Sequence, residues 1–397
     1  MELTLEQLEY LLTPEAAELL AAELPKDELA AQKWLRRHVT DEQAVAVVVL
    51  RQVRGKALAK FPEHLAGTLL ATETLMQQAS SLLLAGYVGR LLAPLAGEAD
   101  VLDLCSGMGA DAIGMALAGA KVVGYDDSAS ALLCARHNAQ AAGVQERCRF
   151  ELADVTRLAL PADAIVHIDP DRRVTGRRGV SMTECRPAEL FLRALPGRSA
   201  GGAIKLSPVL DAGELDGWGR VTREYVGENG QCRQLLLRYG RAASEHEAMA
   251  TVVAGTWDAP EVVSIAGGEA PVRPGPVGAY VIDPDPTVIA AGAVDDLAAR
   301  HGLWRLDRNL LLLFGDAPID TPLGRSFRVL SEAPGRQKDI AAALKALEAG
   351  TVHVKPRGVP IQTDRMQKTL SGRGGRRLVV FWFRVGAVQR AVIAEAG

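Results

Sequence analysis

An acidic residue ahead of a glycine-containing loop is the part of this sequence best suited to ligand chemistry. Asp103 lies in the apolar run Val101-Leu102-Asp103-Leu104, and Gly107 and Gly109 follow it. The glycines allow the backbone to turn tightly and to approach a ligand closely. A carboxylate beside such a loop attracts a cationic group and repels an anionic one. The loop therefore favours a ligand that carries positive charge.

Further acidic residues follow the next apolar runs of the chain. Asp126, Asp154 and Asp169 each stand at or just after the end of such a run. A carboxylate at the end of a strand can accept both hydrogen bonds of a ribose diol. Together with Asp103, this order of acids suits the cationic groups of S-adenosylmethionine. The segment 107–112 also fits the GxGxxG/A pattern of dinucleotide-binding loops, so NAD remains the alternative cofactor.

The elements that must position these residues alternate from about Asp100 onward. Strands are predicted at 101–104, 121–125, 148–152, 164–168, 202–206 and 234–239, with helical stretches between them. Alternation at this spacing predicts an α/β fold with a mostly parallel, doubly wound sheet. Ligands bind beyond the carboxyl ends of the strands in such a sheet, where the glycine loop and the acids lie.

Four parts of the chain differ in character. Residues 1–92 show helical periodicity, and residues 93–245 contain the predicted parallel sheet. Residues 246–322 form a connecting α/β region, in which the segment from 254 onward is rich in glycine and proline and less regular. Residues 323–397 predict a small α+β domain.

Charge is distributed unevenly between these parts. The 397 residues carry 45 basic and 48 acidic side chains, a formal charge of −3, which argues against a histone-like or tail-like nucleic-acid binder. Residues 323–397 alone carry a charge of +9, and the remainder carries −12. The C-terminal domain therefore suits a polyanionic partner, and an ordinary basic domain docked on an acidic neighbour is the alternative.

The remaining composition argues against several other classes of protein. Five widely spaced cysteines without a CxxC pair indicate neither a disulfide framework nor a zinc site, so we expect no metal and a cytoplasmic protein. The acidic N-terminus is unlike a secretory signal. The longest uncharged stretch, 74–89, is too short and too polar to span a bilayer, so we expect no membrane partner.

Residues 99–172 resemble the class I S-adenosylmethionine-dependent methyltransferases. Residues 101–109 (VLDLCSGMG) resemble the first motif of that family, with Cys105 where many members have a glycine. Residues 118–144 and Asp169-Pro170 are similar to RNA-cap trimethylguanosine synthase, and four segments (56–62, 78–80, 169–173 and 280–292) resemble bacterial methyltransferases with a C-terminal THUMP-like domain. The resemblance implies a seven-stranded Rossmann-like sheet, S-adenosyl-L-methionine as the cofactor, and a THUMP-like domain over 323–397 that recruits RNA.

The resemblance also implies a role for each cofactor-binding residue. Asp103 and the loop backbone would hold the methionine end, Asp126 the ribose, and Asp154 the adenine amino group. The expected cofactor contacts are Asp103, Cys105, Ser106, Gly107, Gly109, Asp126, Asp127, Asp154 and Val155. As structural alternatives, Asp126 caps the next helix, Asp154 is a turn residue, and Cys105 is a small buried hydrophobe without thiol chemistry.

The acceptor motif departs from that of related enzymes. Amino-group methyltransferases carry (Asp/Asn/Ser)-Pro-Pro-aromatic, in which the acid and the next carbonyl hold the amine and the ring stacks on the base. Asp169-Pro170-Asp171-Arg172 keeps the acceptor half and has arginine in place of the ring. A guanidinium plane can stack on a base or bind phosphate. We expect these four residues to be catalytic, and a strand-end turn at Asp169 is the alternative.

Basic residues predict where RNA would bind. The expected contacts are Arg172, Arg173, Arg177 and Arg178 beside the acceptor motif, with Lys355, Arg357, Arg373, Arg376 and Arg377 in C-terminal loops. The sequence thus predicts methylation of a nucleobase, preferably at an exocyclic amine, in an RNA such as tRNA or rRNA. The alternatives are a methyltransferase that acts on a small molecule and a non-catalytic protein that binds S-adenosylmethionine and RNA.

Overall fold

The structure, a computed structural model, describes residues 2–171, 173–174, 177–178, 181–268 and 270–395. Helices occupy the part of the chain before the first strand, as the sequence predicts. They are α1 (Leu5–Tyr10), α2 (Pro14–Ala21), α3 (Glu28–Leu35), α4 (Asp41–Ala57), α5 (Glu63–Ala66), α6 (Glu73–Gln78) and α7 (Leu82–Ala96). Threonine and serine caps begin several of them; at α1, for example, the Thr4 hydroxyl accepts a hydrogen bond from the Gln7 N–H at 3.2 Å.

Strands and helices then alternate through the parallel-sheet region. The strands are β1 (Asp100–Leu104), β2 (Lys121–Asp126), β3 (Cys148–Leu152), β4 (Ile165–Ile168), β5 (Arg173–Val174), β6 (Arg177–Arg178), β7 (Gly201–Leu206), β8 (Val221–Glu228), β9 (Gln231–Gly240), β10 (Ala248–Gly255) and β11 (Pro260–Ala266). The helices between them are α8 (Ala110–Leu117), α9 (Ala129–Ala141) and α10 (Glu189–Ala194).

The described residues form one nine-stranded sheet in the order β11-β10-β8-β9-β7-β4-β1-β2-β3. The pairs β3–β2, β2–β1, β1–β4, β4–β7 and β8–β10 are parallel, and β7–β9 is antiparallel. The doubly wound, mostly parallel α/β sheet is confirmed. The predicted number of seven strands is too low, because 221–228, 248–255 and 260–266 are also strands, the last two of them in the connecting region 246–322. The glycines and prolines of this region lie mainly between and after these strands.

Close helix packing joins the N-terminal helices to the sheet. A Cβ atom on Gly114 of α8 would lie 2.3 Å from the Ala85 Cβ of α7, and one on Gly89 would lie 2.6 Å from the Met115 Cα. Only glycine therefore fits at these two positions. This contact fixes α8, whose first turn follows the glycine loop.

The chain divides into two compact units. The first extends to Thr222 and includes Leu235–Glu245 and Gly255–Glu261; the second contains Arg223–Gln234, His246–Ala254 and the residues from Val262 onward. The four-part division inferred from composition remains a prediction.

A second sheet organises the C-terminal residues. Its strands are β12 (Tyr280–Pro284), β13 (Leu313–Gly315), β14 (Gly324–Pro334), β15 (Ala349–Arg357), β16 (Arg376–Val385) and β17 (Val388–Glu395), in the order β13-β12-β14-β17-β16-β15. Helices α11 (Pro286–Ala290), α12 (Val294–His301), α13 (Gln337–Ala346) and α14 (Thr363–Leu370) connect them. Alternate residues of β16 enter two different cores, since Leu378, Val380 and Trp382 pack with Ile340 and Leu344, while Val379, Phe381 and Phe383 pack with Phe314 and Phe327.

Candidate active site

A cavity of about 870 Å³ lies in the first unit, at the carboxyl ends of β1, β2 and β4. Its volume is in the range of pockets that bind cofactors and other small molecules. The predicted site residues that line it are Cys105, Ser106, Gly107, Asp126, Asp127, Asp154, Val155, Asp169, Pro170 and Asp171. The glycine loop and the acceptor motif thus face one shared space.

The glycine loop has a backbone conformation that residues other than glycine rarely adopt. Cys105, Gly107 and Gly109 have φ angles of 67°, 53° and 82°, all in the left-handed region. This explains why a glycine suits the position of Cys105. At Gly109 a side chain would also be crowded, because its Cβ would lie 3.1 Å from the Ala135 Cβ.

The Cys105 thiol lines the cavity without being activated. Burial raises the pKa of this thiol well above its usual value of 9.0, and the neighbouring carboxylates raise it further. The nucleophilic thiolate is therefore disfavoured at neutral pH. This agrees with the expectation that Cys105 does no thiol chemistry.

Asp126 organises the loop from the end of β2. Its Oδ2 accepts a hydrogen bond from the Gly107 N–H at 2.8 Å, and its Oδ1 accepts one from the Ser128 N–H at 2.9 Å. Ser128 is the N-cap of α9 and itself accepts a hydrogen bond from the Ala131 N–H. Burial raises the pKa of Asp126. The carboxylate thus stabilises both the loop and the entry into α9 while it faces the cavity.

Asp154 lines the same cavity and follows the end of β3. Its Oδ1 accepts hydrogen bonds from the Thr156 N–H at 3.0 Å and from the Thr156 hydroxyl at 2.6 Å. These bonds lower the pKa of Asp154, and Arg157 lies 3.2 Å from its Oδ2. Asp154 is therefore both the turn residue weighed from sequence and part of the cavity wall.

Asp103 does not line the cavity. Its side chain is 1% exposed and its Oδ1 lies 2.7 Å from the Nδ1 of His167, which is 0% exposed. Gly109 is likewise absent from the cavity lining, because it begins α8 and packs against Ala135. Neither residue lines the cavity, and the expected contact of each with the cofactor stays a prediction.

A buried ion-pair network lies beside the acceptor motif, and the sequence interpretation missed it. Lys205 of β7 contacts the Asp169 carboxylate and donates to the Ser80 hydroxyl at 2.7 Å. The Lys205 Nζ lies 3.6 Å from Asp111 Oδ2, which also accepts a hydrogen bond from Ser80 at 2.9 Å. A lysine in the otherwise uncharged strand 201–206 was the available signal, because a charged residue is rarely buried without a partner.

The electrostatic effects of this network follow from its geometry. Burial alone would raise the pKa of Asp111, but the Lys205 charge, His167 and the Ser80 hydroxyl lower it overall. Burial would lower the pKa of His167, but the hydrogen bond and charge of Asp103 and the charge of Asp111 raise it. Lys205 and Asp111 both line the cavity, so these charges act on whatever binds there.

The N-terminal helices supply one wall of the cavity. Lining residues from this region include Thr72, Thr74, Leu75, Gln77, Gln78 and Ala79. The Lys60 ammonium caps the end of α6 by donating to the carbonyls of Met76, Gln77 and Ala79 at 2.8, 2.9 and 2.6 Å. Glu2 also lines the cavity and accepts hydrogen bonds from the Thr74 N–H and hydroxyl. The site is therefore built from more than the parallel sheet.

The acceptor motif is only partly described. Asp169, Pro170 and Asp171 line the cavity, and the Asp171 Oδ1 accepts a hydrogen bond from Gln78 Nε2 at 2.8 Å. Asp171 also pairs with Arg186 through two backbone hydrogen bonds of 2.9 and 2.7 Å. Arg172 and the side chains of Arg173, Arg177 and Arg178 lie outside the described residues.

The letters Ile-Asp-Pro-Asp of residues 168–171 recur at 282–285, where both acids make structural contacts. Asp285 caps α11 by accepting a hydrogen bond from the Thr287 N–H at 2.8 Å. Asp283 pairs with Lys355 and Arg357, each at 2.6 Å. These two cations, expected in a loop, instead lie on β15, and both are bound by a buried carboxylate of their own unit.

The other C-terminal cations differ in their contacts. Arg376 pairs with Glu395 at 2.7 Å, whereas Arg373 and Arg377 are exposed. Within the described ranges no group of three or more His, Cys, Asp and Glu side chains could hold a metal ion. In the same part of the chain, no helix is long and apolar enough to cross a membrane.

The cavity charge tests whether S-adenosylmethionine fits. The described lining carries the acidic residues Glu2, Asp111, Asp126, Asp127, Asp154, Asp169 and Asp171, and the basic residues Arg186 and Lys205. An excess of carboxylates favours a cationic ligand and opposes the anionic pyrophosphate of NAD. The left-handed loop backbone also allows close approach of a ligand. The residues present therefore fit the expected cofactor.

Comparisons with known proteins agree with this site. A family model described as RNA cap guanine-N2 methyltransferase matches residues 98–183, and a THUMP domain-like model matches residues 324–396. An uncharacterized S-adenosylmethionine-dependent methyltransferase of Mycobacterium tuberculosis is 32% identical over 346 residues, which cover 85% of this chain and 90% of the relative. The 23S rRNA (uracil(1939)-C(5))-methyltransferase of Acidithiobacillus ferrooxidans is 32% identical over 132 residues, 30% of each chain.

A solved structure shares the fold over nearly the whole chain. A candidate methyltransferase of Porphyromonas gingivalis W83 superimposes with a TM-score of 0.71 at 19% identity, covering 94% of this chain and 99% of that chain. The combination of a parallel-sheet domain with N-terminal helices and a C-terminal sheet is thus found in an independently solved protein.

Proposed function

The chain belongs to the S-adenosylmethionine-dependent methyltransferases, and we propose that it methylates an exocyclic amine of a nucleobase in RNA. One observation carries the proposal: Asp169-Pro170 and the glycine loop line the same cavity. A methyl donor on the loop and an amine on Asp169 would therefore lie in one enclosed space. Such proximity is what an in-line displacement mainly requires of an enzyme.

The cofactor is assigned to the loop side of the cavity. The backbone of Cys105 to Gly107 would hold its methionine end, Asp126 its ribose hydroxyls, and Asp154 with the neighbouring Val155 its adenine. Bound there, S-adenosylmethionine supplies a methyl group activated by the sulfonium charge. Asp103 would support the glycine loop indirectly, through its buried contact with His167.

The acceptor amine is assigned to Asp169. A carboxylate oxygen and the Pro170 carbonyl can each accept a hydrogen bond from an exocyclic NH₂ group, which directs the nitrogen lone pair away from them. The nitrogen loses one proton as the new N–C bond forms, and the Asp169 carboxylate can accept that proton. Asp171, held by Gln78, lies beside this group. Arg172 would stack on the base in place of the missing ring.

The charge of the cavity limits what can enter it. Phosphate groups are repelled by its carboxylates, whereas a neutral base is not. We therefore propose that an RNA base is turned out of its strand into the cavity while its phosphates stay outside. The match to a guanine-N2 methyltransferase family and the rRNA-modifying relative both support an RNA base over a small metabolite.

RNA recruitment is assigned to the second unit and to the arginines after Asp171. Arg373 and Arg377 are the strongest candidates in the second unit, since both are exposed. Lys355, Arg357 and Arg376 already pair with carboxylates and should contribute less. Exposed cations that meet phosphates release counterions, so the binding they provide depends on salt.

A labelled transfer experiment tests the proposal. The protein is incubated with S-adenosylmethionine carrying a radiolabelled methyl group, together with RNA from a strain that lacks the gene and with a small-molecule extract of the same cells. We expect label in the RNA fraction. Label confined to the small-molecule fraction would show that the substrate is a metabolite and not RNA. Binding of the cofactor without transfer to either fraction would indicate a non-catalytic protein.

The RNA contacts have their own test. The variant Arg373→Ala/Arg377→Ala should weaken RNA binding and reduce the slope of binding against salt concentration by about 2, because two phosphate contacts are lost. The matched control is Lys355→Ala/Arg357→Ala, which should change that slope less. An equal slope in the first variant and the wild type would remove these arginines from the RNA interface.

A further inference from the structure

Lys205 is a buried lysine at the acceptor side of the cavity. It lies on β7, and its side chain is 7% exposed. Its ammonium group contacts the Asp169 carboxylate and the Ser80 hydroxyl, and it lies 3.6 Å from Asp111. An ammonium group loses favourable hydration when it is buried, so its placement here needs compensating interactions with the protein.

The partners of Lys205 come from three separate parts of the chain. Ser80 lies between α6 and α7, Asp111 lies in the first turn of α8, and Asp169 follows β4. Ser80 accepts a hydrogen bond from Lys205 and donates one to Asp111 at 2.9 Å. Ser80 and Asp111 thus hold the ammonium group on one side, and Asp169, which is assigned to the acceptor, contacts it as the third partner.

Stability alone explains this arrangement poorly. A buried ion pair often gives no more stability than apolar side chains of the same volume. Asp169 is the most exposed of the charged partners, with 21% of its side chain accessible, against 11% for Asp111. The network therefore holds the positive charge of Lys205 at the cavity wall, next to the Asp169 carboxylate.

We propose that Lys205 is a positioning residue that fixes the orientation of the Asp169 carboxylate, and that Ser80 of the N-terminal helical region holds Lys205 in place. The inference rests on the proposed function, because it assigns Asp169 to the acceptor amine. It also gives the N-terminal helices a role in the site, since Ser80 completes its acceptor side. Loss of Lys205 leaves Asp169 without the contact that sets its rotamer.

The kinetic test uses the full chain. Lys205→Met should lower kcat by about 100-fold, the effect of a misplaced reacting group, and leave KM for S-adenosylmethionine unchanged. Ser80→Ala keeps every charge and should lower kcat by about 10-fold, the loss of one hydrogen bond to a charged group. Lys205→Arg should recover part of the activity. The control Lys121→Met removes the Lys121–Glu98 pair at the start of β2, the end of the strand away from the cavity. It should leave kcat unchanged.

A crystal structure of Lys205→Met separates this inference from the proposed function. We expect a changed Asp169 rotamer with an otherwise unaltered fold. An unmoved Asp169, or a kcat that falls only in proportion to the folded fraction, overturns the positioning role. Absence of RNA methylation by the wild type overturns the proposed function instead, and the Asp169 rotamer still decides the role of Lys205. If Lys205→Met does not fold, Ser80→Ala decides: a wild-type kcat and Asp169 rotamer in that variant overturn the inference.

Discussion

His167 Nδ1 lies 2.7 Å from Asp103 Oδ1, and the two residues are register partners on the adjacent parallel strands β4 and β1. Side chains at paired positions point to the same face of a sheet, which brings the imidazole and the carboxylate together. Both are buried, one on each of the strands that lead into the glycine loop and the acceptor motif. The pair therefore links the strand before the glycine loop to the strand before the acceptor motif, and neither residue lines the cavity.

Removing one member of this pair should affect stability more than cofactor binding. Asp103→Ala is expected to lower the free energy of unfolding by about 3 kcal/mol, because it leaves His167 buried without its partner. Affinity for S-adenosylhomocysteine should change little, since Asp103 does not line the cavity. Urea unfolding and calorimetry measure the two effects. The control Asp100→Ala removes a surface pair on the same strand and should cost about 0.5 kcal/mol or less.

The same pair predicts a pH dependence of stability. The pKa of His167 is raised above 6.5, because the interactions with Asp103 and Asp111 outweigh burial. The folded state thus binds the proton more tightly than the unfolded state. This contribution is fully present below pH 6.5 and is lost as the pH rises through the folded pKa. The stability difference between wild type and His167→Gln should therefore shrink as the pH rises above 6.5 in urea unfolding, and a difference that grows with pH would contradict the assignment.

Asp126 should be the residue whose loss most weakens cofactor binding. It holds the Gly107 N–H and faces the cavity, so Asp126→Ala removes both a loop contact and the proposed ribose acceptor. We expect the Kd for S-adenosylhomocysteine to rise by about 100-fold in calorimetry, the loss of two hydrogen bonds to a charged group. Asp100→Ala again serves as the control. An unchanged Kd would remove Asp126 from the cofactor site.

Cys105 predicts an asymmetry between two substitutions. Its φ of 67° suits glycine, so Cys105→Gly should retain cofactor affinity with a free energy of unfolding within about 1 kcal/mol of wild type. Cys105→Val should lower that free energy by about 2 kcal/mol, because β-branched residues are strained at positive φ. Equal stability of the two variants in urea unfolding would show that the loop relaxes its backbone.

The sequence predicted the features that depend on neighbours along the chain. The glycine loop, Asp126, Asp154 and Asp169 lie at the ends of strands whose apolar runs are visible in the sequence, and all but Gly109 of these line the cavity. Three strands of this sheet were missed, 221–228, 248–255 and 260–266, and the last two lie in the connecting region, which contains many glycines and prolines.

Contacts between distant residues were beyond the sequence patterns. Ser80 and Lys205 are 125 positions apart, and Asp103 and His167 are 64 apart, so only the fold brings each pair together. Asp103 was expected at the methionine end of the cofactor, which stays a prediction. Its contact with His167 was not foreseen, because it depends on strand register. Lys355 was expected to meet phosphate, and it pairs with Asp283, 72 positions away.

Nucleoside mass spectrometry tests the central claim that Asp169 serves an exocyclic amine of an RNA base. RNA from a strain lacking the gene is incubated with S-adenosylmethionine and with wild type, Asp169→Ala or the control Asp100→Ala, then digested to nucleosides. We predict one nucleoside methylated on its exocyclic amine by the wild type and the control, formed about 100-fold or more slowly by Asp169→Ala, which lacks the acceptor oxygens. Methyl groups on a ring carbon or a ribose oxygen, or equal rates for all three proteins, would contradict the account.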